Sequence, residues 1–186
     1  MNAREAMERL RAGNARYLEQ GCWRGDVSPE RRRTTWLNGQ KPWAIVVTCS
    51  DSRVIPEAIF DAGIGELFVI RVAGNVMDDH QLGSIEYAAD HLGTPLVLVL
   101  GHTHCGAVEA AMHHDPSGYI KFITDEIRRG IGDATDAGEA CRRNVRHSVA
   151  VIESSLEIRR EESERGLRVI GGVYRIEDGR VTFLED

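Results

Sequence analysis

Ala44-Ile45-Val46-Val47-Thr48-Cys49-Ser50-Asp51-Ser52-Arg53 and Pro95-Leu96-Val97-Leu98-Val99-Leu100-Gly101-His102-Thr103-His104-Cys105-Gly106 share one design: an apolar run that stops at residues with chemistry. Runs of this length and composition read as strands buried on both faces of a parallel sheet. In open α/β sheets the ligand crevice lies beyond the carboxyl ends of such strands. If the two strands are neighbours, Cys49, His102 and Cys105 meet in that crevice. Two thiolates and an imidazole form a soft donor set that selects zinc, and three protein ligands leave a fourth position open.

Working outward, Pro56–Phe60 reads as a short helix with its proline early, and Leu67–Val72 as a second strand. Ala73-Gly74-Asn75 turns the chain toward a helix capped by Asp78 or Asp79, with Leu82, Ile85, Ala89 and Leu92 as its stripe. Gly106–His114 is helical and puts Cys105 at a helix N-terminus, where amides and dipole favour a thiolate. A further helix covers Tyr119–Arg129, then a loop spans Gly130–Gly138. One long helix follows, with Val145, Val149, Ile152 and Leu156 at 4-3-4 spacing. Leu167–Ile170 begins a fourth strand, and Asp178-Gly179 makes a hairpin to Val181–Phe183. The expected class is α/β: a mainly parallel central β-sheet with flanking helices and an antiparallel C-terminal edge hairpin.

The amino-terminal part reads differently. Residues 2–20 look helical, but Met7, Leu10 and Tyr17 make a thin apolar stripe. A polar stretch and a short helix around Glu30–Leu37 come next. Residues 1–37 are thus expected to be a helical arm, against a partner subunit or on the surface, of a single domain spanning 1–186.

With 186 residues, 42% of them apolar, the chain has material for one real core. A net charge of −6 argues against nucleic acid as the main partner, and Arg31–Arg33 and Arg142-Arg143 are balanced by nearby acids. No apolar run approaches the roughly 18 residues of a membrane helix, and the first twenty residues lack a signal-peptide core. The expectation is a cytoplasmic protein with no membrane partner. Cys22 and Cys141 have no histidine at ligand spacing and read as ordinary buried or free thiols.

A zinc ion held by two thiolates and a neutral imidazole carries no net site charge, so it acidifies water less than an all-histidine site would. Asp51, with Arg53 as a fixed positive charge two residues on, can accept a hydrogen bond beside the metal, or can itself take the fourth position. Phe68, Ala73, Val54 and Tyr87 suggest apolar walls, which suit a small uncharged electrophile. A structural zinc site closed by Asp51, and a thiol nucleophile paired with His102, remain open at this level.

The Cys-x-Asp-x-Arg and His-x-x-Cys pair, at this separation, resembles the signature of the β-class carbonic anhydrases, over about Gln40 to Val108 and again near the C-terminus. The resemblance implies one zinc on Cys49, His102 and Cys105, and a catalytic dyad of Asp51 and Arg53. It implies a substrate pocket of Gln40, Phe68, Ala73, Tyr87 and Gly106, shared across a homodimer that often pairs into a homotetramer. The implied reaction is reversible hydration of carbon dioxide to bicarbonate through a zinc-bound hydroxide. Relatives with the same ligands that hydrolyse carbon disulfide or carbonyl sulfide, and a non-catalytic zinc protein, are the alternatives. Members with an allosteric bicarbonate site carry Trp three residues before the first zinc cysteine. Here that residue is Val46, which implies the plant-like subtype. His104, before the second zinc cysteine, is a candidate for relaying protons or for facing solvent.

Overall fold

Strand propensity and two-sided burial decide the centre of the molecule. In the computed structural model, which describes residues 1–184, β1 (Ala44–Thr48) and β3 (Leu96–His102) are buried at every position. β2 (Leu67–Arg71), β4 (Arg168–Tyr174) and β5 (Val181–Leu184) complete one sheet in the order β2-β1-β3-β4-β5. All neighbours are parallel except the β4–β5 hairpin. The class read from the sequence is the class found.

Period-two alternation survives inside these apolar strands. Ala44, Val46, Leu96, Leu98 and Leu100 enter one core cluster; Ile45, Val47, Val97 and Val99 enter another on the opposite face. The first face is closed by α1 (Ala3–Gln20) and α3 (Pro56–Ile59). The second is closed by α4 (Asp79–Asp90), α7 (Ala137–Ser154) and α8 (Leu156–Arg165). α5 (Gly106–His113) and α6 (Ile120–Ile131) build a third cluster that contains Cys49 and Cys105. From β1 the chain goes to β2 on one side, and β3 lies on the other, so the crevice beyond β1 is a topological switch point.

Three expectations need correction. α1 is no thin-striped surface helix: Ala6 and Leu10 are fully buried against the chain's own sheet. Leu10 alone contributes about 1.5–3 kcal/mol of burial. The stripe was hidden because it is built from small residues. A Cβ on Gly13 would stand 2.0 Å from the Phe60 carbonyl oxygen, so only glycine lets the helix come this close. Asn14, also buried, donates to the carbonyls of Ile59 and Gly179 and accepts from the Val181 amide. Second, the long C-terminal helix breaks at Ser155, whose extended backbone and hydroxyl cap α8, and Leu156 is exposed. Third, α6 runs on to Ile131 in the stretch expected to be loop. Within residues 1–37, α2 (Pro29–Asn38) is capped by Ser28 and has no buried side chain.

Candidate active site

The carboxyl ends of β1 and β3 are pinned side by side. Thr48 donates its hydroxyl to the Leu100 carbonyl at 2.7 Å, fixing the last paired residues before the functional ones. Cys49 leaves β1, His102 closes β3, and Cys105 is the N-cap of α5. Their ligating atoms lie within 4.8 Å of one another and all three residues are buried. Among the described residues this is the one trio of metal-binding type found.

The donor set fits zinc. His102 Nδ1 is 2.8 Å from the Thr103 carbonyl oxygen, so it carries the proton and leaves the Nε2 lone pair facing the cysteines. That Nε2 is buried with no partner in the protein. Such an orphan is costly unless a cation takes it. In the bare protein the Cys49 thiol is drawn down to about 4, chiefly by its hydrogen bond with Cys105, against the cost of burial. The Cys105 thiol is pushed up by the same neighbour and by burial, although the Ala107 and Val108 amides at the start of α5 pull the other way. The helix-terminus effect expected for Cys105 is present but outweighed by the thiolate beside it. A divalent cation reverses that balance by replacing the shared proton.

Asp51 and Arg53 form a two-point ion pair, Nε to Oδ1 at 3.0 Å and Nη2 to Oδ2 at 2.7 Å, and the Arg53 amide donates to Oδ1 as well. These bonds hold the Asp51 carboxyl well below the usual carboxylate range. Asp51 Oδ2 stands 3.9 Å from His102 Nε2, at the mouth of the ligand trio. Arg53 is also tied to the His104 carbonyl.

Several supporting residues had no distinctive sequence signal. Arg71, at the carboxyl end of β2, donates to the carbonyls of Cys49 and Asp51. Gly74 donates its amide to Cys49 Sγ at 3.3 Å. Glu177 accepts from the Thr103 hydroxyl and faces His104 Nε2 at 3.1 Å, while His104 adopts a left-handed φ of 53°. A charged residue at a strand's carboxyl end was the only available hint for Arg71.

The expected pocket residues divide. Ala73 adjoins Gly74 in the turn over Cys49, and Gly106 follows Cys105 directly. Phe68, by contrast, pairs with Ile45, four residues back along the sheet from Cys49, about 13 Å at strand rise. Tyr87 lies tilted against Phe68, 6.2 Å between ring centres, and is 46% exposed. Gln40 is exposed beside Gly65, at the amino ends of β1 and β2. Val54, expected as a wall, is fully buried in the core cluster under α1 and α3.

Comparison with known proteins agrees with this geometry. A family model described as carbonic anhydrase matches residues 44–181. Carbonic anhydrase 2 of Mycobacterium tuberculosis is 36% identical, with 94% of this chain and 89% of that protein covered. A carbonic anhydrase of Mycolicibacterium smegmatis is 37% identical over 95% and 90%. Among solved structures, the β-carbonic anhydrase CafA of Aspergillus fumigatus superposes with a TM-score of 0.77 at 25% identity, covering 97% and 89%. A tetrameric β-carbonic anhydrase of Sordaria macrospora gives 0.74 at 25% identity, covering 85% and 88%.

Proposed function

The chain belongs to the β-class carbonic anhydrase family, whose reaction is the zinc-dependent hydration of carbon dioxide to bicarbonate and a proton, and from that premise we propose how its residues divide the work. The observation that carries the assignment is the buried Cys49–His102–Cys105 trio, with its orphan imidazole nitrogen, next to a carboxylate that Arg53 keeps ionised.

Cys49, His102 and Cys105 hold the metal, and zinc bound there supplies the Lewis acidity that makes water nucleophilic near neutral pH. Asp51 accepts a hydrogen bond from the attacking water and aims its lone pair at the carbon of carbon dioxide. Arg53 keeps Asp51 charged and holds both its oxygens, which supports a carboxylate that stays off the metal. Val46, fully buried where a tryptophan would mark an allosteric site, supports the plant-like subtype. Gln40 donates a hydrogen bond to a substrate oxygen, Phe68, Ala73 and Tyr87 exclude water, and Gly106 lets substrate approach the backbone.

Because Gln40, Phe68 and Tyr87 sit far from Cys49 in their own chain, this reading has them serve the site of a second copy, in a homodimer that can pair into a tetramer. The bare α2, with Trp36 at 77% exposure, supports an arm that covers such a partner, and the tetrameric relative fits the larger assembly. No helix among the described residues is long and apolar enough to cross a membrane. Four free thiols support a reducing, cytoplasmic setting.

The test is zinc content and stopped-flow carbon dioxide hydration on one preparation, from about pH 6.5 to 9, around the range of a zinc-activated water. About one zinc per chain is expected, with activity rising along a single titration. Cys49→Ser should lose both. Stoichiometric zinc in that variant, or zinc-loaded wild type without hydration, would overturn the assignment.

A further inference from the structure

α7 carries a stripe that no part of the chemistry above has used. Cys141, Asn144 and Ser148 are spaced i, i+3, i+7 and so share one helix face, and all three are buried. Each donates to a backbone carbonyl outside the helix. Cys141 Sγ reaches the His102 carbonyl at 3.3 Å, Asn144 Nδ2 the Gly74 carbonyl at 2.8 Å, and Ser148 Oγ the Asn75 carbonyl at 2.9 Å. A helical serine commonly turns its hydroxyl back to its own helix; this one does not.

The three carbonyls belong to one shell. His102 is a proposed ligand, and Gly74 and Asn75 form the turn whose amide donates to Cys49 Sγ. That turn is strained. Gly74 has φ 69° and Asn75 φ 47°, two successive left-handed residues, the second with a side chain. It is wedged from the other side as well, since a Cβ on Gly74 would meet Ile127 Cδ1 at 2.6 Å and Ala107 Cβ at 3.1 Å. The short donors reach because glycines let α7 lie against the sheet. A Cβ on Gly101 would stand 2.5 Å from Val145 Cγ2, and one on Gly171 2.8 Å from Val145 Cγ1.

Keeping these amides buried is costly. Asn144 Oδ1 and Asn75 Nδ2 have no partners, an arrangement packing alone would not favour. We propose that α7 is a positioning clamp for the metal centre, in which Cys141, Asn144 and Ser148 fix where His102 and the Gly74 amide stand relative to Cys49. The amide donated to a thiolate spreads its charge and sets its direction, so the clamp governs how tightly and in what geometry the metal is held. Cys141, Asn144 and Ser148 are positioning residues; none touches substrate or metal. The inference rests on reading Cys49, His102 and Cys105 as the zinc ligands.

The experiment compares full-length zinc-loaded wild type, Asn144→Leu, Ser148→Ala and Ser155→Ala. It measures zinc loss to a competing chelator, the thiolate-to-metal absorption band after cobalt substitution, and the melting temperature. Ser155 lies at the far end of α7, where it caps α8 and bonds Glu86, so its variant loses stability without touching the clamp. Asn144→Leu should weaken zinc binding by about 10- to 100-fold, the usual cost of losing an outer-shell partner, and shift the cobalt band. Ser148→Ala should move both readouts in the same direction by less, and it carries the test alone if Asn144→Leu does not fold. Ser155→Ala should melt earlier with zinc affinity and band unchanged. Clamp variants with wild-type affinity and band would overturn the proposal, as would equal zinc loss from Ser155→Ala. Wild type without stoichiometric zinc would overturn the ligand reading instead, a separate result.

Discussion

The two ends of β1 are built to different standards. At the carboxyl end, Cys49, His102 and Cys105 are buried and Asp51 is held at both oxygens. Arg71, Gly74 and Thr103 occupy the surrounding backbone and side-chain bonds. At the amino end, Gln40 is exposed, Tyr87 is half exposed, and the helix that precedes the strand buries nothing. One end is finished within the chain; the other leaves Gln40 and Tyr87 open to solvent. On the proposed dimer reading, the contrast teaches that metal chemistry and substrate recognition are completed by different copies. Groups whose geometry must be held within tenths of an ångström are wired into a single fold, whereas apolar walls and one amide can be supplied across an interface.

The strongest way to probe the finished end is Arg53→Ala. Zinc should stay, because no ligand is touched, while carbon dioxide hydration falls by about 10²- to 10⁴-fold, the range for losing a positioned proton-handling group. Full activity in a zinc-replete variant would remove Asp51 and Arg53 from the mechanism.

The unfinished end is probed by mixing. Gln40→Ala should cost about tenfold, a hydrogen bond to a polarised substrate, with zinc unaffected. Co-refolded with inactive Cys49→Ser, it should regain activity, because each mixed dimer pairs one intact metal trio with the other chain's intact Gln40, giving about half its sites. If the mixture is never more active than Gln40→Ala alone, the pocket is completed within one chain.

The smallest effect lies away from both ends. Arg16 bonds Asp61 at 2.8 Å and joins α1 to the segment after α3. Burial raises the Asp61 carboxyl, but Arg16 and the Arg24 amide more than offset it, so it titrates below its ordinary value. A depressed carboxylate contributes stability above its unfolded value of about 4, and loses it as pH falls through the lower folded one. Arg16 is 44% exposed, so Arg16→Ala should cost about 0.2–1 kcal/mol at pH 7. The gap in melting temperature from wild type should close below about pH 4. A gap that persists in acid would mean that Arg16 acts by packing.

What the amino-acid sequence disclosed follows from which signals are local. The strands showed as runs of Val, Ile and Leu, and the ligands and dyad as rare residue types at the ends of those runs. The clamp on α7 did not show, because Asn144 and Ser148 look in sequence like the solvent side of an amphipathic helix, and Cys141 reads only as a buried or free thiol. The face of α1 was misjudged because Ala6, Gly13 and Asn14 carry little hydrophobicity and act through close approach. The break at Ser155 was masked by Leu156, which continues the apolar spacing of the preceding helix by coincidence and points to solvent. Neither motif nor periodicity could separate pocket residues that belong near the metal from those that lie a strand's length away.

The side chain of Asn14 has a consequence in time. Its bonds reach Ile59, Gly179 and Val181, so a residue of α1 is fastened in part by residues 165 and 167 positions further along the chain. During synthesis α1 can meet the α3 region early, through Asn14 to Ile59 and Arg16 to Asp61, but its bonds to Gly179 and Val181 wait for the hairpin after β4. Closing so long a loop is a slow, late event. The polar groups of Asn14 are therefore fully satisfied only once the β4–β5 hairpin docks, which makes this contact a late one in folding.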